Sequence, residues 1–227
     1  MTNQYRTLGQ VGVDEFTVNK SRFIGYASPA GSEQEALDFI RQIREKHRDA
    51  SHNCYAYIIG ENQGIMRYSD DGEPSGTAGM PMLDVIRNMG LVYCVVVATR
   101  YFGGVLLGTG GLVRAYTQSC KIALTAAQPV VMKRTNVYPC LLPYACWDRL
   151  NHYIESSPVR LTDIDYADQI RFRLEVTAEE ATHVLDEILN VTGRKIVLGD
   201  PETSFMPWKL SSFVPDQPDE HGRSDQR

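Results

Sequence analysis

The chain reads as an α+β protein of two small domains, on three observations. The first 130 residues interleave strand-like apolar runs with segments of helical periodicity, Gln128-Pro129 then breaks the chain, and a compact β-α-β-β-α-β series follows. About 70 residues in that order is the split βαβ pattern of a ferredoxin-like domain. The expected organisation is residues 1–130, residues 135–208 and a polar, disordered tail over 209–227, where Pro215 to His221 offers nothing to bury.

Phe16 to Ala30 carries Phe16, Val18, Phe23, Ile24 and Tyr26 and reads as two short strands. Ser32-Glu33-Gln34-Glu35 is a capping box, opening a helix with Ala36, Phe39, Ile40 and Ile43 on one face. Cys54 to Gly60 is a strand, Glu61-Asn62-Gln63-Gly64 a hairpin turn, and Ile65 to Tyr68 the return. The turn-rich, acidic stretch from Ser69 to Gly79 leads into a helix around Pro81 to Met89 that Gly90 ends. Tyr93 to Thr99 is an unbroken apolar run and predicts a central strand buried on both faces. The Gly-rich segment from Gly103 to Gly111 opens a helix from about Leu112 to Ala127, with Leu112, Ala115, Tyr116, Cys120, Ala123 and Ala127 inward. In the second half, strands are expected at Val137–Leu142, Val159–Tyr166, Gln169–Thr177 and Arg194–Leu198, with helices at Tyr144–Ser156 and Ala178–Thr192.

Composition narrows the classes. At 43% hydrophobic and 22% charged residues the chain is ordinary globular material, and no run of about 18 apolar residues is present to span a membrane. The N-terminus lacks a basic segment followed by an apolar one, so a cytoplasmic location is expected. Five cysteines without paired spacing (Cys54, Cys94, Cys120, Cys140 and Cys146) read as reduced, buried thiols rather than disulfides or a zinc site. The net charge of −5 argues against a generic nucleic-acid coat. Its distribution leaves room for a local patch, because residues 1–130 hold twelve basic and twelve acidic side chains and the remainder eleven against sixteen.

Three stretches of the first domain carry candidate chemistry. Around the Gly-rich segment, Gly103, Gly104, Gly108, Gly110 and Gly111 allow close backbone approach, and a helix N-terminus there offers N–H groups to a phosphate. Arg100 and Arg114 bracket it, Tyr101 and Phe102 can stack on bases, and Arg67 can add charge to the same face. Equally, the glycines suit tight turns and close packing alone. In the acidic turn, Asp70, Asp71 and Glu73 cluster closely enough that they could hold Mg²⁺, but without the spaced ligands of an EF-hand loop, and a solvated acidic turn is the other reading; no other cofactor is expected. His52 can exchange a proton near neutrality or serve as a hydrogen-bonded histidine at a strand start.

Taken together, His52-x-Cys-x-Ala-Tyr57, Ser69-Asp-Asp-Gly-Glu-Pro-x-Gly-Thr-Ala-Gly79-x-Pro81 and Arg100-Tyr-Phe-Gly-Gly104 with Leu107-Gly-x-Gly-Gly-Leu-x-Arg-Ala-Tyr116 resemble the IMPACT/YigZ family over about residues 18–128. The resemblance implies a first domain similar to a ribosomal small-subunit protein and to domain IV of elongation factor G, and a second similar to domain V of that factor. It adds His52, Asp70, Asp71, Glu73, Ser75 and Thr77 as family-motif candidates. Eukaryotic relatives regulate translation through a starvation-responsive initiation-factor kinase, using an extra N-terminal domain. The 227 residues leave no room for that domain, so the kinase role is not expected to transfer. The sequence departs from many members at Leu106, where they carry a lysine.

The leading expectation is a translation-linked module, without catalysis, that binds RNA, the ribosome or a protein of the translation machinery. Two alternatives stand beside it. One is a nucleotide-binding enzyme like the GHMP kinases, which share the first domain's fold. The other is a protein–protein adaptor using Asp163, Asp165, Asp168, Glu179 and Glu180 of the second domain.

Overall fold

The computed structural model describes residues 3–209, so the expected tail lies, from residue 210 onward, outside the described residues. The chain divides into two units, Gln4–Val131 and Met132–Trp208.

The first unit contains β1 (Gln4–Leu8), β2 (Gly12–Val18), β3 (Ser21–Pro29), α1 (Glu33–Lys46), β4 (His52–Ile59), β5 (Ile65–Ser69), α2 (Gly79–Asn88), β6 (Cys94–Tyr101) and α3 (Gly108–Ala126). Its sheet runs β2-β3-β6-β4-β5 with every neighbour antiparallel. The apolar run is therefore the middle strand, β6. Val95 and Val97 pack beneath α1 with Tyr26, Ile40 and Tyr57; Val96 and Ala98 face α2 and α3 with Phe23, Cys54, Met82 and Tyr116. Helices on both sides, rather than parallel pairing, explain why the strand does not alternate.

At α1, the Ser32 hydroxyl accepts from the Glu35 N–H at 3.2 Å, but Glu35 reaches back to the N–H of Gly31 at 2.8 Å, one residue before the cap. The inward face expected for α3 is buried throughout. Its first turn, however, begins at Gly108, not Leu112, because the glycines after Leu107 are wound into the helix rather than left as a loop. Strand β1 was not expected. It is short and half polar, and is held by long-range partners: Arg6 bridges Leu91, and the Thr7 hydroxyl donates to the Tyr93 carbonyl at 3.1 Å.

The second unit follows the expected element order with β7 (Pro129–Leu142), α4 (Trp147–Ile154), β8 (Val159–Tyr166), β9 (Ile170–Thr177), α5 (Ala181–Val191) and β10 (Val197–Leu198). Its strands lie in the order β10-β7-β9-β8, the ferredoxin-like arrangement, with α4 and α5 contributing Leu150, Val184 and Ile188 to the core. Five details differ. β7 begins at Pro129, eight residues before the expected Val137. A short 3₁₀ turn, Tyr144–Cys146, precedes α4; α5 starts three residues late; β10 has only two residues; and an unexpected β11 (Glu202–Lys209) also pairs with β7. Trp208 anchors β11, its indole N–H donating to the Thr135 hydroxyl at 2.9 Å while the Arg160 guanidinium lies over its ring at 4.2 Å. All five cysteines are free and buried. No helix among the described residues is long and apolar enough to cross a membrane.

On the α1 side of the first sheet, buried His47 sits between two phenols. Tyr101 O–H donates to Asp49 at 3.1 Å, so it accepts from His47 Nδ1 at 2.9 Å, leaving Nε2 to accept from Tyr26 O–H at 2.6 Å. Burial holds the imidazole below its ordinary value of 6.5, with neighbouring Lys46 acting in the same sense. The unfolded chain then takes up the proton more readily, so this contribution to stability is full above pH 6.5 and is lost as pH falls through the lower folded value. Urea denaturation between pH 7.5 and 5 should show that decline in the native protein and a flatter profile in His47→Gln.

Candidate functional site

Cross-strand register assembles the site. Arg100 on β6 stands opposite His52 on β4 and Phe23 on β3, so these side chains share the α2/α3 face of the sheet. The acidic turn folds over the end of that face. Each of its carboxylates has a different partner set.

Asp70 serves the backbone. Its Oδ1 accepts from the N–H groups of Ala78 and Gly79 at 3.1 and 2.8 Å, at the start of α2, and its Oδ2 from Gly76 at 2.8 Å. A carboxylate there also complements the positive end of the helix dipole. Asp71 pairs with Arg44 of α1 at 2.6 Å and accepts from the Asn53 N–H at 2.7 Å. A Mg²⁺ ion at Asp70 and Asp71 would have to displace these donors. Thr77 is buried and donates to the Pro74 carbonyl at 2.7 Å, while Ser75 is exposed at the turn's tip.

Glu73 is the centre. Its side chain is only 3% exposed, and its Oε1 accepts from Arg100 Nη1 and from the Tyr116 hydroxyl, each at 2.7 Å. Burial, followed by the influence of neighbouring Cys54, drives the Tyr116 phenol far above its ordinary range, so it remains a donor. The Arg100 guanidinium lies 5.5 Å from the ring centre of Phe23 and 5.4 Å from that of Phe102. His52 Nδ1 lies 2.8 Å from the Asp71 carbonyl, which can only accept, so Nδ1 carries the hydrogen. In the neutral ring Nε2 is therefore an acceptor, 3.8 Å from Glu73 Oε1.

The Gly-rich segment closes the site. Gly103 passes so near Lys20 that an added Cβ would stand 2.0 Å from its backbone, and its N–H donates to the Ser21 hydroxyl at 3.2 Å. Gly108 starts α3 at φ +68, a conformation that a side chain would strain, although space around it is open. No side chain caps α3, so its first-turn N–H groups lack the usual partners. Arg114 is exposed one turn on, and a Cβ added at Gly110 would lie 3.8 Å from its Nη1.

The acidic turn and the Gly-rich segment thus meet. Glu73 and Pro74 from the first, Leu106 to Thr109 from the second, and His52, Arg100, Phe102 and Leu112 line one cleft of about 400 Å³. The turn's negative charge does not dominate this cleft, because Asp70 is bonded to three N–H groups, Asp71 is paired with Arg44 and Glu73 with Arg100.

Three expectations are corrected. Arg100 is 5% exposed and paired, not a free surface cation. Tyr101 alternates to the α1 side of the sheet, where its hydroxyl meets His47 and Asp49, so it does not stack beside Arg100. Arg67 pairs in register with Tyr57, also on the α1 side, and is separated from the cleft by the sheet. Gly104, Gly108, Gly110 and Arg114 remain exposed at the segment, and Gly111 is half-buried. Sequence reasoning placed Tyr116 only in the core; a phenol at a fully buried position needs a polar partner, and that was the available signal.

Residues 19–124 match the Impact N-terminal domain. The chain is 36% identical over 206 residues to the IMPACT family member YvyE of Bacillus subtilis, covering 91% of this chain and 95% of that protein. It is 44% identical over 101 residues to the IMPACT family member YigZ of Escherichia coli, covering 44% of this chain and 50% of that one. A crystal structure described as that of an hypothetical protein aligns with 87% of this chain and 97% of its own, at TM-score 0.57 and 26% identity.

Breaking a buried ion pair by removing one partner costs about 3–5 kcal/mol, because the other charge stays buried alone. Arg100→Met should lose stability on that scale in urea denaturation, and Arg100→Met with Glu73→Gln should recover most of it. A single variant as stable as the native chain would contradict the pairing.

Proposed function

The chain belongs to the IMPACT family, and on that premise we propose that it is a cytoplasmic, translation-linked regulatory module whose first domain binds RNA or the ribosome. One observation carries the reading: three separate motifs converge on a cleft beside the uncapped first turn of α3. Helix N-termini favour phosphate through free N–H groups and the dipole. Arg114 adds an exposed cation next to that turn, and Phe102, 48% exposed, offers an aromatic edge for a base. Pairing within the acidic turn reduces the repulsion that a phosphate would otherwise meet. Cys54 is buried and its thiol is pushed up by that burial, so it is no nucleophile. The implied likeness to elongation factor G domains IV and V belongs to the same proposal, as does a protein partner for the second domain.

Binding of purified protein to ribosomal subunits and to single-stranded RNA should weaken steeply with salt, since phosphate contacts release counterions. Arg114→Glu should lower affinity for every sequence and reduce the salt slope by about one contact. Arg67→Ala and Tyr101→Phe, on the opposite face, should change neither. Salt-independent binding, or binding indifferent to Arg114, would contradict this reading.

A further inference from the structure

The floor of the cleft has an acceptor pattern that phosphate binding alone does not use. Glu73 Oε1 is occupied by Arg100 and Tyr116, but among the described residues its Oε2 has no hydrogen-bond donor, although the side chain is 97% buried and lines the cleft. Oε2 keeps the side chain's small exposure to the cleft and stands there as an acceptor that a ligand donor can meet. Beside it, His52 Nε2 is a second acceptor in the neutral ring, whose tautomer is set by the Nδ1 bond to the Asp71 carbonyl. Arg100 Nε, also buried, has no acceptor. The remaining wall is apolar, with Phe102, Leu106 and Leu112, and Leu106 is 84% exposed at the mouth.

Resting on the RNA-binding reading above, we infer that this cleft takes one unpaired guanine nucleotide of an RNA strand. Two neighbouring acceptors call for two neighbouring donors. Guanine presents N1–H and the N2 amino group side by side on its Watson–Crick edge. Adenine and cytosine place a ring acceptor next to their single amino group, and uracil flanks N3–H with two carbonyls; each would set an acceptor against Glu73 or His52. The guanine O6 and N7 edge then faces away from Glu73, toward donors such as the Thr109 hydroxyl at the helix start. The base lies against Phe102 and Leu106, and its phosphate reaches the first turn of α3 near Arg114. A cleft of about 400 Å³ lies near the lower end of the ~300–1,000 Å³ that small-molecule sites occupy, room for one nucleoside and not for a stacked pair. At the position of the family's lysine, Leu106 supplies apolar cover for a base instead of a phosphate contact.

The test is fluorescence anisotropy of the full chain with labelled uridine pentamers carrying G, inosine, A, C or U at the centre. Guanine should bind about ten- to a hundredfold tighter than uracil, the discrimination expected of a bidentate pair. Inosine, which lacks only the N2 amino group, should fall between them, and this change leaves the protein untouched. His52→Ala should shrink the guanine preference several-fold, while Arg114→Glu weakens all five RNAs alike. Glu73→Gln should abolish the preference, with its melting curve confirming that it folds. Equal affinity for the five RNAs, still dependent on Arg114, would overturn the guanine site and leave the RNA-binding reading standing. Binding of none of them at low salt would overturn both.

Discussion

The carboxylate of Glu73, buried between a guanidinium and a phenol, is the interaction on which the organisation of the first unit depends. Its partners come from distant parts of the chain: Arg100 ends the central strand and Tyr116 lies two turns into the following helix. Burial makes each charge costly alone, so the pair holds the acidic turn, β6 and α3 in one arrangement. Phe23 and Phe102 flank the guanidinium, while Asp70 and Asp71 tie the turn to α2, β4 and α1. The turn is acidic for reasons of assembly before any question of ligand.

The same interaction changes how the basic residues are read. Proximity in sequence grouped Arg100 with Tyr101, and the expected hairpin added Arg67, but strand alternation sends Tyr101 to the opposite face, and register sends Arg67 there too. What remains at the cleft is a helix start without a side-chain cap, a histidine of defined tautomer and an apolar rim, with the exposed Arg114 farther along the same helix. That combination favours a partner with a phosphate, a flat body and hydrogen-bond donors over a polyanion gripped by many charges. It accords with a chain whose net charge is −5.

Much of this fold was legible from local pattern. The Ser32 cap, the two-sided apolar run of β6, the inward stripe of α3 and the β-α-β-β-α-β order of the second unit each follow from periodicity and turn chemistry. What escaped depends on contacts distant in sequence. β1 and β11 are largely polar strands whose order comes from pairing with β7 and from contacts with Tyr93, Leu91 and Thr135, distant in sequence. The early start of α3 escaped because five glycines in the nine residues 103–111 read as loop, whereas packing winds Gly108, Gly110 and Gly111 into the first turn. For the site, the motifs marked the right segments. Only the register of β4 on β6 shows that His52, Glu73 and Arg100 meet and that Arg100 is neutralised there.

On this reading, function sits on the α2/α3 face of the first sheet, at the cleft around Glu73, and not on the α1 face. Amide and imidazole chemical shifts of the labelled protein, followed while single-stranded RNA is added, test this directly. The largest changes should fall on His52, Glu73, Phe102 and the turn from Leu106 to Arg114. Changes concentrated instead on Arg67, Tyr101 and α1 would contradict it.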